Sequence, residues 1–145
     1  MRIAIACDHG ALELKNTLIA HLTEQGHTVV NFGTDTLDSC DYPDFAGPAA
    51  KAVASGDCEK GIVLCTTGIG VSITANKVKG IRCALLSDLM SARMTREHND
   101  TNMMAMGAGV VGTMLAIQIV DTWLGTEFTG GRHQRRIDKM MAYEG

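Results

Sequence analysis

Short apolar runs alternate with longer amphipathic stretches along this chain, and that alternation limits its fold more than any other feature. Ile3–Cys7, Thr28–Phe32, Ile62–Cys65 and Ile81–Leu86 are runs of four to six residues rich in Val, Ile, Leu and Cys. Runs that are apolar on both faces suit strands of a parallel sheet covered on both sides. Met103–Met106 is a fifth candidate, weaker because Met is not a strong strand former. The stretches between them carry helical spacing. Ala11, Leu14, Leu18 and Leu22 share one face of a first helix, with Gly26 placed to cap its end. Tyr42 to Ala54 is Ala-rich and ends at Ser55-Gly56, and Met90 to His98 reads as another helix. Ala116, Ile119, Val120 and Trp123 line one face of the next, which stops near Gly125. A last helix follows Gly130-Gly131 and runs from Arg132 to Tyr143.

The resulting βα order predicts an α/β fold: one open, doubly wound parallel sheet of about five strands with right-handed crossovers. No linker, repeat or low-complexity tract interrupts it, so residues 1–145 are expected to form a single domain. The final helix, set off by two glycines, is free to pack on a partner subunit. In such a fold ligands bind in the crevice at the carboxyl ends of the strands.

Composition narrows the partners. The net charge of −3 argues against nucleic acid or an acidic membrane as the main partner. No stretch approaches the roughly 18 apolar residues that span a bilayer. The N-terminal residues run straight into Cys7-Asp8-His9 with no long apolar region or cleavage site, so no signal peptide is expected. Five cysteines without CxxC spacing disfavour a zinc site or a disulfide framework and fit a reducing, cytoplasmic location. Cys7 and Cys83, each inside an apolar run, read as small buried hydrophobes.

The predicted strand ends carry capable chemistry. They are Cys7-Asp8-His9-Gly10, Gly33-Thr34-Asp35, Cys65-Thr66-Thr67-Gly68-Ile69-Gly70, Ser87-Asp88 and, before the fifth strand, His98-Asn99-Asp100, and these are expected to converge. The Cys65 segment follows a strand and opens a helix. Its glycines let backbone N–H groups approach a ligand, and a helix start presents unpaired donors to an anion. A thiol there is more easily ionised than the ordinary value of about 8.5. Cysteine with oriented N–H groups makes a base with an oxyanion cradle, although the same segment also reads as a glycine-rich turn with a buried cysteine. A dinucleotide fingerprint competes, with Gly68 and Gly70 as its first glycines and Asp88 downstream. Its third glycine position is Ile73, however, and the loop follows the third strand rather than the first. Arg132 and Arg136, four apart, share a helix face and suit a phosphate dianion, or form a solvated basic helix end. His9, at the first helix start, adds a candidate phosphate donor.

Together these segments resemble the type B ribose-5-phosphate isomerase and LacAB sugar-phosphate isomerase family. The matching strings are Cys7-Asp8-His9-Gly10, Asp41-Tyr42-Pro43, Cys65 to Gly70, Ala75-Asn76-Lys77, Arg93–Asn102 (RMTREHNDTN) and Gly130-Gly131-Arg132-His133-Gln134, in the family's order across nearly the whole chain. The resemblance implies a Rossmann-like fold and aldose–ketose isomerisation of a phosphorylated sugar, with ribose 5-phosphate to ribulose 5-phosphate as the default pair. It implies that Cys65 moves the proton between C2 and C1. Thr67 and the N–H groups around Gly68, Gly70, Val71 and Ser72 would hold the enediolate oxygen. His98 would open the furanose ring with Asp8 near the ring oxygen. Asn99 and Tyr42 would line the sugar, and His9, Arg132 and Arg136 would bind phosphate. It also implies a homodimer, able to pair again into a tetramer, whose sites are shared, with the His98-Asn99 segment given by the partner. No metal or organic cofactor is expected.

Two positions depart from the family pattern. An arginine common a few residues past HNDTN, expected as a phosphate ligand from the neighbouring subunit, is Gly109 here. Thr66 stands where a glycine is common. Both leave room for an allose, galactose or tetrose phosphate as the preferred sugar. A non-catalytic phosphosugar-binding module and a thiol redox protein pairing Cys65 with Cys7 are the readings from other classes.

Overall fold

The five apolar runs pair edge to edge, all in the same direction. The computed structural model describes residues 1–145. Strands β1 (Arg2–Cys7), β2 (Thr28–Asn31), β3 (Lys60–Cys65), β4 (Cys83–Leu85) and β5 (Met103–Gly107) form one parallel sheet in the order β2-β1-β3-β5-β4. Side chains alternate between its faces. Ile3, Ile5, Ile62, Leu64, Met104 and Met106 pack with α1 (Leu12–Glu24), α4 (Leu89–Asn99) and α5 (Thr113–Gly125). Ala4, Ala6, Val63, Cys65 and Ala105 pack with α2 (Pro43–Ala54) and α3 (Ile69–Asn76). On that second face Ala46, Ala49 and Ala50 have no exposed surface, and their small side chains let α2 lie close to the sheet.

The expected architecture is the one observed, with two differences. β4 is only Cys83–Leu85 rather than Ile81–Leu86, because the Ile81 N–H closes a turn onto the Val78 carbonyl and the Arg82 N–H donates to Asn102 Oδ1. The methionine-rich run is no marginal strand: β5 lies between β3 and β4 with all five residues buried. Burial on both faces decides there, and the modest β propensity of Met does not.

Helix α6 (Arg132–Met141) stands outside these layers, seated on α4 of its own chain. Thr129 donates to the Glu97 carbonyl through both its N–H (3.2 Å) and its hydroxyl (2.8 Å). Ile137 is buried in the contact, while Arg132 and Arg136 remain exposed.

One polar group lies wholly inside. Lys15, on the inner face of α1, has no exposed surface, and its ammonium donates to Asn31 Oδ1 (2.8 Å), Asp35 Oδ1 (2.6 Å) and the Thr34 carbonyl. These bonds tie the loop after β2 to α1 beside the end of β1. Asp35 is held below the usual carboxylate range by the bond from Lys15 first and by Asn31 second. Lys15→Met should therefore lower the unfolding free energy by about 1–3 kcal/mol, the cost of unpaired acceptors, as read from urea denaturation. A depressed folded value means Asp35 contributes stability above its ordinary 3.8 and loses it as pH falls through the lower folded value. Asp35→Asn should remove that part of the acid dependence. Unchanged stability in Lys15→Met would show that solvent replaces the ammonium.

Candidate active site

Successive connections leave opposite faces of the sheet where β1 and β3 lie side by side, α1 to one face and α3 to the other. A crevice opens at the carboxyl ends of two such strands. Cys7-Asp8 and Cys65-Thr66 stand at that point. Cys65 is 6% exposed, and its Sγ accepts the Gly68 N–H at 3.1 Å. Gly68 permits the turn in two ways. Its φ is +78°, and a Cβ there would lie 2.7 Å from the Met106 carbonyl carbon and 2.9 Å from the Gly107 nitrogen. Helix α3 starts at the next residue. Its first free N–H, of Ile69, is capped by Thr67 Oγ1 at 3.2 Å, which leaves the Thr67 hydroxyl proton free to donate. The N–H groups of Gly70 and Val71 make no hydrogen bond within the chain.

The expected oxyanion cradle is thus narrower than the sequence suggested. The Gly68 N–H is committed to the thiol, and the Ser72 N–H closes the first helical turn onto the Gly68 carbonyl at 3.2 Å. Ser72 also gives its hydroxyl to the Ile69 carbonyl, so it serves the helix and donates nothing to a ligand. Thr67, Gly70 and Val71 remain as the available donors.

Three further expected residues border this loop. Asp8 is buried, and its Oδ1 accepts the Gly10 N–H at 2.9 Å, leaving the second oxygen without a partner in the chain. The Tyr42 ring lies across Gly70, where a Cβ would come within 2.6 Å of it, so only glycine lets the ring cover the start of α3. His9 is exposed, and its Nδ1 accepts the Cys40 N–H at 3.3 Å. A backbone N–H can only donate, so Nδ1 is the acceptor and the proton of the neutral ring sits on Nε2, turned away as a donor. Cys40 was not singled out from sequence. Its contact with His9 spans a loop with no periodic signal.

His98 and Asn99 do not join them, which corrects the convergence expected at the strand ends, and Arg132 and Arg136 stand apart with them. Helix α4 begins beyond the carboxyl end of β4 and returns to the amino end of β5. Its eleven residues span about 16 Å, so His98 and Asn99, at its last turn, lie at the opposite edge of the sheet from Cys65. There they line a cavity of about 310 Å³ with Arg132, His133, Arg136, Ile137 and Met140. His98 and His133 stack with ring centroids 4.2 Å apart. Partial loss of solvent, then His98, Arg132 and Arg136, hold His133 below the usual histidine range. Arg135 projects elsewhere, as its spacing predicts. Each chain therefore carries two separate groups of the expected residues, a thiol half at one edge and a basic half at the other.

Residues 3–140 match the ribose/galactose isomerase family. The chain belongs to that family. It is 48% identical over 143 residues to ribose-5-phosphate isomerase B of Escherichia coli, covering 99% of this chain and 96% of that protein. It is 42% identical over 145 residues to D-erythrulose-4-phosphate isomerase of Pectobacterium atrosepticum, covering 99% of this chain and 95% of that one. The solved ribose-5-phosphate isomerase B of Clostridium thermocellum superimposes with a TM-score of 0.98 at 51% identity, over 99% of this chain and 97% of that one. The α/β, Rossmann-like architecture is therefore the family's. Gly109, expected to answer to a ligand from the neighbouring subunit, lies instead in the thiol half of the same chain, its N–H bonded to the Thr66 carbonyl at 2.9 Å.

The same geometry answers the competing readings. Asp88 caps α4 by accepting the Ser91 N–H at 2.6 Å, so it is spent on the helix and not on a ribose. Cys7 packs into the α1/α5 face of the sheet and Cys65 into the α2/α3 face, so the two thiols cannot meet in a disulfide. All five cysteines are free; Cys83 keeps some exposed surface but packs against the α2/α3 core, and burial pushes its thiol up to about 12. Burial pushes the Cys7 thiol up to about 11 and raises Cys58 as well, where Asp57 adds to the effect. Roughly one Cys7 in a thousand is then a thiolate at about pH 8. Iodoacetamide treatment of the native protein should leave Cys7 and Cys58 unmodified in peptide mass spectra, whereas their rapid labelling would mean that the core opens.

Proposed function

We propose that this chain interconverts an aldose phosphate and its ketose, ribose 5-phosphate and ribulose 5-phosphate in the first instance, with Cys65 as the acid–base group. The observation that carries the reading is one loop that sets a thiol beside the unpaired N–H groups of Gly70 and Val71 and the free hydroxyl of Thr67. A proton next to a carbonyl leaves only if the charge that develops on oxygen is held, and losing one donor from such a cradle costs about 3–4 kcal/mol. In this scheme Asp8 and His98 assist opening of the furanose. The Cys65 thiolate takes the proton from C2. The C–H electron pair becomes the C1–C2 double bond, and the carbonyl electrons move onto O1, held by the cradle. The thiol then returns the proton to C1, where the double-bond electrons form the new C1–H bond, while the C2 hydroxyl gives up its proton to become the carbonyl and O1 takes one up to become the C1 hydroxyl. Tyr42 and Asn99 line the sugar, and His9 donates Nε2–H to the phosphate.

The basic half must then come from a second copy. Ile69 and Ile73 of α3, Leu85 of β4, and Leu89 and Met90 opening α4 are exposed apolar residues on the flank beside the thiol loop, a surface suited to burial against another chain. A homodimer in which each thiol half meets the partner's His98, Asn99, Arg132 and Arg136 completes the site twice, and pairing of dimers gives a tetramer. The whole chain acts as one isomerase domain. No helix is long and apolar enough to cross a membrane, and five free cysteines accord with a cytoplasmic setting.

A tetrose phosphate is the favoured second substrate, because Thr66 and Gly109 alter the thiol half and a relative at 42% identity is named for a four-carbon sugar phosphate. The test is conversion of ribose 5-phosphate and of tetrose, allose and galactose phosphates by the parent and by Cys65→Ala. Acid–base catalysis typically supplies about 10²–10⁴-fold, so kcat should fall by at least that range with KM little changed. Activity retained in Cys65→Ala would remove the thiol from the mechanism. Phosphosugar binding without turnover of any sugar would make the protein a binding module.

A further inference from the structure

We infer that Thr66 sets the length of phosphorylated sugar this site accepts, favouring four- and five-carbon chains over six-carbon ones; the inference rests on the isomerase reading of the thiol loop. Thr66 follows Cys65 directly, and its side chain is wedged between the turn after β1 and the turn after β5. A Cβ on Gly10 would overlap Thr66 Oγ1, and one on Gly109 would come within 3.1 Å of Thr66 Cγ2. The threonine thus fills a gap that side chains at positions 10 and 109 would otherwise contest. Its backbone cannot swing away. The Thr66 carbonyl accepts the Gly109 N–H at 2.9 Å, the Cys65 carbonyl accepts the Ala108 N–H at 2.9 Å, and a Cβ on Gly107 would lie 2.7 Å from the Thr66 oxygen.

The location gives the wedge its consequence. Gly10 adjoins His9, the phosphate donor, whereas Cys65 and Thr67 address the carbons that exchange the proton. Thr66 therefore stands between the reacting end of the sugar and its phosphate, exposed, with a hydroxyl that makes no hydrogen bond within the chain. That hydroxyl is free to donate to a ligand oxygen, and the methyl group closes the space beneath it. A cavity of about 290 Å³ begins at the same two turns, lined by Gly10, Glu13, Ala108, Val111 and Thr113 among others but by neither Thr66 nor Cys65. Without the wedge, a longer chain gains room in that direction. One methylene of misfit in a pocket is worth about 10–200-fold in kcat/KM.

The experiment compares kcat/KM for tetrose, pentose and hexose phosphates in the parent, Thr66→Gly and Thr66→Ser. Thr66→Gly should raise the hexose-to-pentose ratio on the order of tenfold or more. Thr66→Ser, which keeps the hydroxyl and loses only the methyl, should fall between the two and carries the comparison if the glycine variant folds poorly. A ratio that stays within twofold of the parent's in active variants would overturn the assignment, as would a parent that already turns over hexose phosphate as well as pentose phosphate. A parent inactive on every sugar would instead remove the isomerase reading itself, a failure told apart from the first because no ratio then exists.

Discussion

Every connection in a parallel sheet must travel back from the carboxyl edge to the amino edge, and that constraint governs how this protein can act. Strand ends gather Asp8 and Cys65 at one edge, while the last turn of each returning helix is delivered to the other. A helix the length of α4 separates its own first and last residues by about 16 Å. Asp88 and His98, at opposite ends of one helix, therefore belong to opposite edges of the molecule. Helix α6 follows α4 because Thr129 and His133 hold it there, which assigns its arginines to the same edge as His98. A chemistry that needs both halves cannot be completed inside one chain.

Within the thiol half, room for backbone decides more than the identity of polar side chains. Gly68, Gly107 and Gly109 each stand where a Cβ would crowd the facing turn, and together they bring the turns after β3 and β5 into contact, while Gly70 makes the same room for the Tyr42 ring. Gly68 directs its N–H at the thiol, and Gly70 lets Tyr42 cover the helix start. The amino end of α3 is thereby partly used and partly open: capped by Thr67, closed by Ser72, and unpaired at Gly70 and Val71. The open donors are the ones a developing negative charge can use.

Much of this was legible in the residues. The period of the apolar runs announced the sheet, and the glycines after Cys65 announced a strand-to-helix turn. The four-residue spacing of Arg132 and Arg136 placed them on one face. What escaped depends on relations between distant segments. Nothing local to Lys15 distinguishes it from a surface lysine, since its partners come from the end of β2 (Asn31) and the loop after it (Thr34 and Asp35). Cys40 holds His9 across 31 positions through a loop without periodicity. Nearness to β5 in sequence groups His98 with Cys65, but His98 precedes that strand rather than following it. A residue before a parallel strand stands at the wrong edge. The resemblance implies a donor at Ser72, but one further residue into the helix is enough to commit its N–H to the Gly68 carbonyl.

In the proposed enzyme a working site joins the thiol half of one chain to the basic half of another. Subunit complementation measures it most directly. Cys65→Ala and a chain with both Arg132→Ala and Arg136→Ala, each inactive alone, are co-expressed in equal amounts and assayed as the mixture. In a randomly paired dimer half the molecules are mixed, and each mixed dimer holds one intact site of two, so the mixture should regain about a quarter of parental activity. A mixture no more active than its separate components, with mixed dimers present, would contradict the shared site.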